Sequence, residues 1–160
     1  MGFDRICRVF RISQNGFVNH VKIDIYGENL IKLEFIEPIG MGFHPGCYVY
    51  LHFLSLPFYV VWQSHPFSLV RSTASSDRLV LYLKCKKGIT RKLLKLQNKG
   101  FIKVLVDGPY GKFPVDTRND DGFDKVVGIG GGLALSSVLA FFNHRAAKFQ
   151  EKSANERYTC

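Results

Sequence analysis

Trp62-Gln63-Ser64-His65-Pro66-Phe67-Ser68-Leu69 combines a proline with aromatic and hydrogen-bonding side chains. Pro66 fixes its own φ angle and disfavours the α-helical region for His65, so the backbone is predicted to be extended there. Phe67 offers a flat apolar ring, whereas His65 and Ser68 offer hydrogen-bonding groups. The stretch therefore fits two interpretations: a strand that borders a planar heteroaromatic ligand, or a barrel strand with Phe67 in the core and His65 at the rim.

Alternating apolar and polar residues surround this stretch. The alternation at residues 21–25 and again at 31–35 predicts two half-buried antiparallel strands joined by a turn. A Pro45-Gly46 turn leads into a third strand, and the quoted stretch supplies a fourth. Two further apolar runs, at residues 79–85 and 101–107, complete the set. Six short strands separated by turn signals predict a small antiparallel barrel.

A short helix is predicted between the last two strands. Thr90 is placed as its N-cap and Gly100 as its end, with Gly88 just before the cap. The free amide groups of such a helix start would favour a phosphate, and Arg91 and Lys92 add positive charge. A basic, solvated surface helix is the alternative interpretation.

The pattern changes near the C-terminal end of the chain. An apolar strand is predicted at residues 125–129, followed by Gly130-Gly131-Gly132 and a helix with one apolar face. This order is that of a nucleotide-binding α/β unit, although strand-to-helix turns also use glycine for geometry. One strand and one helix cannot complete a parallel sheet, so we expect the apolar face to be partly exposed. Its residues are Leu135, Leu139, Phe142, Ala146 and Phe149.

Composition limits the classes of function. The 160 residues carry a formal net charge of +9, which could serve nucleic acid, an anionic membrane surface or a phosphorylated small molecule. No zinc spacing, RNA-binding signature or repeat supports nucleic acid. No carboxylate pair, nucleophile with a base or spaced metal ligands favours a hydrolase or a metalloenzyme, so no catalytic or metal-binding residue is predicted. The four cysteines form no close pair, which is typical of reduced thiols.

The N-terminal residues 1–16 form a predicted basic helix. Arg5, Arg8 and Arg11 recur every three residues and therefore share one side of the helix. Two interpretations fit this spacing: a solvated basic face, or a juxtamembrane helix whose arginines face phospholipid head groups. No signal peptide is visible, and the longest apolar run, at residues 47–62, falls short of the roughly 20 residues of a spanning helix.

Taken in order, these stretches resemble the flavoprotein part of the ferric reductase and NADPH oxidase superfamily, and most closely the fungal ferric/cupric metalloreductases. The resemblance covers about residues 2–143. The motifs that carry it are Gly2-Phe3-Asp4-Arg5 with Arg8, His44-Pro45-Gly46 with Tyr48-Val49, His65-Pro66-Phe67-Ser68, Gly88-Ile89-Thr90, Asp107-Gly108-Pro109-Tyr110-Gly111, and the glycine cluster from Gly128 to Gly132.

The resemblance implies a Greek-key barrel that binds FAD, at residues 17–113, followed at residues 114–160 by the start of an NADPH-binding domain. The residues implied to border the flavin are His65, Pro66, Phe67, Ser68 and Leu69. The residues implied to approach the FAD pyrophosphate are Gly88 and Thr90. Those implied to contact NADPH are Gly108, Pro109, Tyr110, Gly111, Gly130, Gly131 and Gly132.

The resemblance also implies partners and a reaction. Electrons would pass from NADPH through FAD to haem in an upstream membrane domain, and then to an external ferric or cupric chelate. The domain would lie at the cytosolic face of the plasma membrane or the endoplasmic reticulum. A superoxide-producing NADPH oxidase shares every motif, and a non-catalytic remnant that only binds flavin is a third interpretation. The haem domain and the rest of the NADPH domain fall outside these residues, so the sequence is interpreted as a fragment.

Overall fold

The computed structural model describes residues 2–36, 42–72, 78–111 and 125–157. None of its helices is long and apolar enough to cross a lipid bilayer, as far as these ranges extend. The elements in chain order are α1 (Gly2–Gln14), β1 (Asn19–Tyr26), β2 (Leu30–Phe35), β3 (Tyr48–Phe53), α2 (Phe58–Val61), β4 (His65–Ser68), β5 (Val70–Arg71), β6 (Leu79–Lys84), α3 (Ile89–Leu94), a 3-10 turn (Gln97–Lys99), β7 (Phe101–Tyr110) and α4 (Ala134–Arg157).

The strands form one antiparallel sheet in the order β4-β3-β7-β1-β2-β6-β5. Neighbours in the sheet that are distant in sequence, such as β3 and β7, give the Greek-key arrangement. Alternate residues face one buried side: Val21 and Ile23 of β1 are buried, and Lys22 between them is exposed. The period-two pattern of the sequence is therefore a correct prediction of the strands and of their inner face.

The two edge strands, β4 and β5, are parts of one chain segment separated only by Leu69. The side chain of Leu69 is fully buried, and its backbone N–H donates to the carbonyl oxygen of Cys47 at 3.0 Å. The segment thus passes from one edge of the sheet to the other and closes it into a barrel. The prediction of an antiparallel barrel is confirmed, but the described residues form seven strands and not the predicted six, because Leu69 separates β4 from β5.

The barrel interior is a single apolar core. Its largest fully buried side chains include Phe35, Phe53 and Leu33. Val60 of α2 and Leu93 of α3 belong to the same core, so the two short helices add apolar cover to the barrel. Each such side chain contributes about 1.5–3 kcal/mol when removed from water, which explains why short helices are held in place.

The start of α3 differs from its predicted form. Gly88, not Thr90, is the N-cap, with φ 87° and ψ −133°, a conformation that side chains with a Cβ disfavour. The Thr90 hydroxyl instead accepts a hydrogen bond from the backbone N–H of Lys86 at 3.0 Å. Gly100 was predicted to end this helix, but α3 ends at Leu94, and Gly100, with φ 66°, ends the 3-10 turn that follows.

Helix α1 covers a free edge of β7. Strand β1 pairs with β7 only at residues 101–104, so the backbone of β7 beyond Val104 lacks that neighbour. The Asn15 side-chain amide donates to the carbonyl oxygens of Val106 at 3.2 Å and Gly108 at 2.8 Å. Asn15 is itself buried, and it therefore satisfies backbone groups that the sheet leaves unpaired.

Arg8 and Arg11 of α1 contact the barrel, which corrects, for these two residues, the prediction that the arginines face solvent or lipid. Nε of Arg8 lies 3.1 Å from Oδ2 of Asp107, and Nε of Arg11 lies 3.5 Å from Oδ1. Asp107 is fully buried in β7, and a buried carboxylate requires opposite charge nearby. Because Asp107 requires positive charge beside it, α1 is oriented with Arg8 and Arg11 towards the barrel. Ile6, Val9 and Phe10 are exposed as a consequence.

The C-terminal region contains a helix but not the predicted strand. Residues 125–131 have no regular secondary structure, and no described strand pairs with them. Strands need hydrogen-bonded neighbours, so an apolar run without one remains a loop. The run packs on α4 instead: a Cβ on Gly128 would lie 2.5 Å from Phe142 and from Val138.

Helix α4 packs against β5 and leaves part of its apolar surface in solvent. Ala140 and Phe141 are buried, whereas Leu135, Leu139 and Phe142 are exposed to 47%, 49% and 36%. The predicted partial exposure of this helix face is therefore confirmed for these three residues.

Replacing Asp107 with asparagine should lower the free energy of unfolding by about 1–3 kcal/mol, because Arg8 and Arg11 would lose their counter-charge. Asp24→Asn is the matched control, since Asp24 pairs with Lys22 on an exposed surface. That pair should contribute less than about 1 kcal/mol. Urea unfolding followed by circular dichroism measures both values, and equal losses would contradict the role assigned to Asp107.

Candidate functional site

Strand β4 presents two different faces. Phe67 is half-buried and packs on the core, with its ring centroid 6.2 Å from that of Phe53. Pro66 and Ser68, the alternate residues, are exposed on the outer face. Of the two interpretations of this stretch, the structure supports a barrel strand with Phe67 against the core. The outer face of the same strand remains free to border a ligand through Pro66 and Ser68.

The two remaining residues of the predicted flavin strand have restricted surfaces. Leu69 is fully buried, so only its backbone could border a ligand. Nε2 of His65 is buried and has no hydrogen-bond partner among the described residues. A buried polar atom without a partner costs free energy, and such atoms are frequent where a ligand completes the hydrogen bonding.

A cavity of about 240 Å³ lies between the outer face of the barrel and the first turns of α4. Arg71 of β5 and Gly132 of the glycine cluster both line it, although they are far apart in the sequence. The cavity lies beside β5 and not beside β4 itself. Its lining is mostly apolar with a few polar groups, a composition that suits an aromatic ring. The lining residues are Leu30, Val70, Arg71, Tyr82, Gly132, Leu133, Leu135, Ser136, Leu139 and Asn143.

A second cavity, of about 350 Å³, adjoins the first. Both are lined by Leu30, Gly132 and Leu133, so they form one groove along the outside of the barrel. The second cavity adds Lys84, the last residue of β6, as well as Glu28. The groove therefore extends from β5 towards the segment that leads into α3.

The surface near α3 is positively charged. Residues 78–106 contain nine lysines and arginines and no acidic residue. Lys86, Lys87 and Arg91 are exposed on either side of Gly88. Glu34, on neighbouring β2, adds little free negative charge, since Lys32 donates to it at 2.9 Å and lowers its pKa. An anionic group near Gly88 would therefore meet a favourable potential.

The predicted glycines fall into two groups. A Cβ on Gly108 would lie 3.0 Å from Val49, and one on Gly111 would lie 3.1 Å from the Tyr48 ring, so both serve close packing in the barrel. Gly130 likewise lies against Leu135. A Cβ on Gly88, Gly131 or Gly132 would meet nothing within 4 Å. Of the predicted glycines, Gly88, Gly131 and Gly132 therefore leave space beside the backbone for a ligand to approach.

Sequence reasoning did not identify the polar and aromatic cluster at the end of β7. The Tyr110 hydroxyl donates to Oδ1 of Asp107 at 2.7 Å, and the Tyr110 ring stacks on Tyr48 with centroids 5.7 Å apart. Burial, together with this hydrogen bond, raises the pKa of Tyr110 to about 12. The signal was available, because Asp107 follows an apolar run in a strand and a buried carboxylate needs partners.

Arg71 and Tyr82 were also missed as groove residues. Arg71 follows the quoted stretch by two positions, and its guanidinium carbon lies 5.2 Å from the centroid of the Phe43 ring. Tyr82 lies on the same strand as Val80, which is buried although it is not part of the barrel core. The large amphipathic side chain of Tyr82, between Leu81 and Leu83, was the available signal for a second, outer contact surface.

Comparison with known proteins identifies the barrel. A family model described as an FAD-binding domain matches residues 15–113, which include all seven strands. The solved cytochrome P450 reductase GcoB from Amycolatopsis has the same fold over 81% of this chain and 39% of its own, with a TM-score of 0.58 and 22% sequence identity.

Curated relatives are fungal reductase components. Ferric/cupric reductase transmembrane component 2 of Saccharomyces cerevisiae is 35% identical over 143 residues, which is 86% of this chain and 19% of the relative. Ferric/cupric reductase transmembrane component 1 of Candida albicans is 33% identical over 156 residues, or 94% of this chain and 20% of the relative. The chain thus spans about a fifth of the length of these relatives. Because the family model matches more than half of the residues, the chain belongs to the family of FAD-binding domains.

Proposed function

We propose that this chain is the FAD-binding portion of a membrane-bound ferric/cupric-chelate reductase. Electrons would pass from NADPH through FAD to haem in a membrane domain, and from there to an external ferric or cupric chelate. The domain would lie on the cytosolic side of the plasma membrane or the endoplasmic reticulum. The similarity to fungal transmembrane reductase components supports this proposal.

The observation that carries the proposal is the groove shared by the barrel and the glycine cluster. Arg71 and Gly132 line one cavity, although they come from the barrel and from the region after it. An oxidoreductase that moves a hydride between two nucleotide cofactors needs both cofactors at one boundary. A boundary of this kind is what a flavin reductase requires.

The residues present fit FAD. Pro66 and Ser68 offer an exposed strand face with one hydroxyl group. His65 lies on the opposite face of β4, with Phe67, and its buried Nε2 lacks a partner among the described residues. Gly88 has open space beside its backbone and basic residues on both sides. We therefore assign the isoalloxazine to the strand face and the pyrophosphate to the Gly88 turn, with Thr90 beside it.

Bound FAD would supply hydride acceptance and stepwise electron release. The chain would hold the flavin in position. Leu69 and Phe67 fix strand β4 by their burial, and Ser68 offers a hydrogen bond at the outer face of the strand. Lys86 and Lys87 would offset pyrophosphate charge.

For NADPH we propose the open backbone of Gly131 and Gly132 as the phosphate contact. Gly108 and Gly111 would act differently, because their close packing against Val49 and Tyr48 sets the shape of the barrel end. Pro109 and Tyr110 lie between them, half-buried, and would border the nicotinamide side of the site.

A flavin-binding domain without NADPH-dependent activity is a second candidate for the 160-residue chain on its own. The exposed apolar residues of α4 favour it, because a nucleotide-binding sheet would normally cover such a helix.

Ser68→Ala should weaken FAD binding about fivefold, because one hydrogen bond to the ligand contributes about 1 kcal/mol. Ser13→Ala is the matched control, since Ser13 is exposed on α1 and bonds only to the carbonyl of Phe10. Titration with FAD, followed by flavin fluorescence, measures both affinities. Unchanged affinity in the Ser68 variant, or failure of the unaltered chain to bind FAD, would contradict the proposed site.

The isolated chain, loaded with FAD, should show little or no reduction by NADPH. The described residues from Lys125 onwards provide one loop and one helix, which can contact phosphates but cannot enclose a dinucleotide. Anaerobic stopped-flow absorbance at the flavin band measures the rate, with dithionite reduction as the control for a competent flavin. Fast, saturable bleaching by NADPH would refute this expectation.

A further inference from the structure

Three large aromatic side chains are exposed together at α2, and we call them the aromatic patch. Phe58, Tyr59 and Trp62 are exposed to 78%, 62% and 80%. Phe58 and Trp62 are four residues apart and therefore lie on the same side of the helical turn. Contiguous apolar surface of this kind commonly marks a contact with another protein or with a membrane.

The aromatic patch is held outward by a firmly attached backbone. Leu56, which precedes the aromatic residues, and Val60, which lies between Tyr59 and Trp62, are buried in the barrel core. The N–H of Val60 donates to the carbonyl of Pro57 at 2.8 Å, and the Val61 carbonyl lies 2.9 Å from Nδ1 of His52. The aromatic rings are thus presented by a fixed turn, which limits the conformational entropy that binding would cost.

Positive charge borders the aromatic patch. Nζ of Lys92 lies 4.7 Å from the centroid of the Tyr59 ring, so α3 is adjacent to the patch. Lys95, the residue directly after α3, is exposed, and Lys99 is exposed in the following 3-10 turn. Between residues 38 and 106 the only acidic residue is Asp77. The surface around the patch is therefore complementary to a surface of negative charge.

We infer that the aromatic patch and its lysines dock on the surface of an anionic phospholipid bilayer. Tryptophan and tyrosine favour the boundary between head groups and acyl chains, since each has an apolar ring and a polar group. Lysines beside them would contact acidic head groups, and each adds roughly fivefold to binding near such a surface. Aromatic and basic residues together match a bilayer surface better than either class alone.

This inference rests on the proposed function only in placing the domain at a membrane. It assigns the contact to α2 and the region of α3, whereas Arg8 and Arg11 of α1 pair with Asp107. Binding to lipid is measured without FAD, NADPH or an electron acceptor. A chain that binds FAD but not lipid would refute the inference alone, and a chain that binds lipid but not FAD would refute the proposed function alone.

Trp62 is the only tryptophan in the sequence and reports on its own contact. Vesicles of phosphatidylcholine with phosphatidylserine should shift its emission to shorter wavelength, and brominated acyl chains should quench it. Vesicles of phosphatidylcholine alone should give a much smaller effect, and added salt should weaken binding. Unchanged Trp62 emission with the anionic vesicles would overturn the inference.

Variants test whether vesicle binding depends on the aromatic patch or on other exposed apolar side chains. Phe58→Ser and Lys95→Glu should each lower the vesicle-bound fraction at least fivefold in a flotation assay. Phe17→Ser is the matched control, since Phe17 is a phenylalanine exposed to 60% between α1 and β1. An equal loss in the Phe17→Ser control would show that the lipid contact lies elsewhere and would refute the proposal. A shift of Trp62 emission that depends on protein concentration but not on lipid would show self-association and would also refute it.

Discussion

The closure of the barrel at Leu69 is the constraint on which the rest of the structure depends. The segment that contains β4 and β5 is bound to β3 on one side of Leu69 and to β6 on the other. Burial of the Leu69 side chain and the hydrogen bond from its N–H to Cys47 fix the point of crossing. Because the crossing is fixed, Pro66 and Ser68 are held on the outside, and β5 is placed where α4 packs.

Asp107 is a second constraint, since it orients an entire helix. A carboxylate with no exposed surface is tolerated only beside opposite charge or hydrogen-bond donors, and α1 supplies Arg8 and Arg11 while Tyr110 supplies a hydroxyl. The same contact determines which face of α1 is exposed. One buried acidic group thereby connects the N-terminal helix to the strand end that carries Gly108 and Gly111.

The sequence was sufficient to predict the barrel, because alternation of apolar and charged residues is a local signal that specifies both the strands and their buried face. The partly exposed face of α4 was predicted from a similar local pattern. The orientation of α1 was not predicted correctly. Arginines at helical spacing have the same sequence pattern whether they face solvent or a buried carboxylate in a distant strand.

Other errors had the same origin in non-local contacts. Thr90 has a side chain suited to capping, but the conformation required at the helix start selected Gly88. The apolar run at residues 125–129 has the composition of a strand, yet strands form only where a neighbour pairs with them. Among the glycines, composition cannot separate Gly128, which packs under Phe142, from Gly131, which has open space.

The central claim is that the outer face of β4, with the Gly88 turn, binds FAD, and amide hydrogen exchange with and without FAD tests it most directly. Within the described residues, β4 is paired through its backbone with β3 alone, so part of its backbone is open to solvent unless a ligand covers it. We predict slower exchange at residues 65–71 and 86–91 when FAD is bound, with little change in β1, which lies inside the sheet. Bound FAD that leaves exchange in these two segments unaltered would contradict the account.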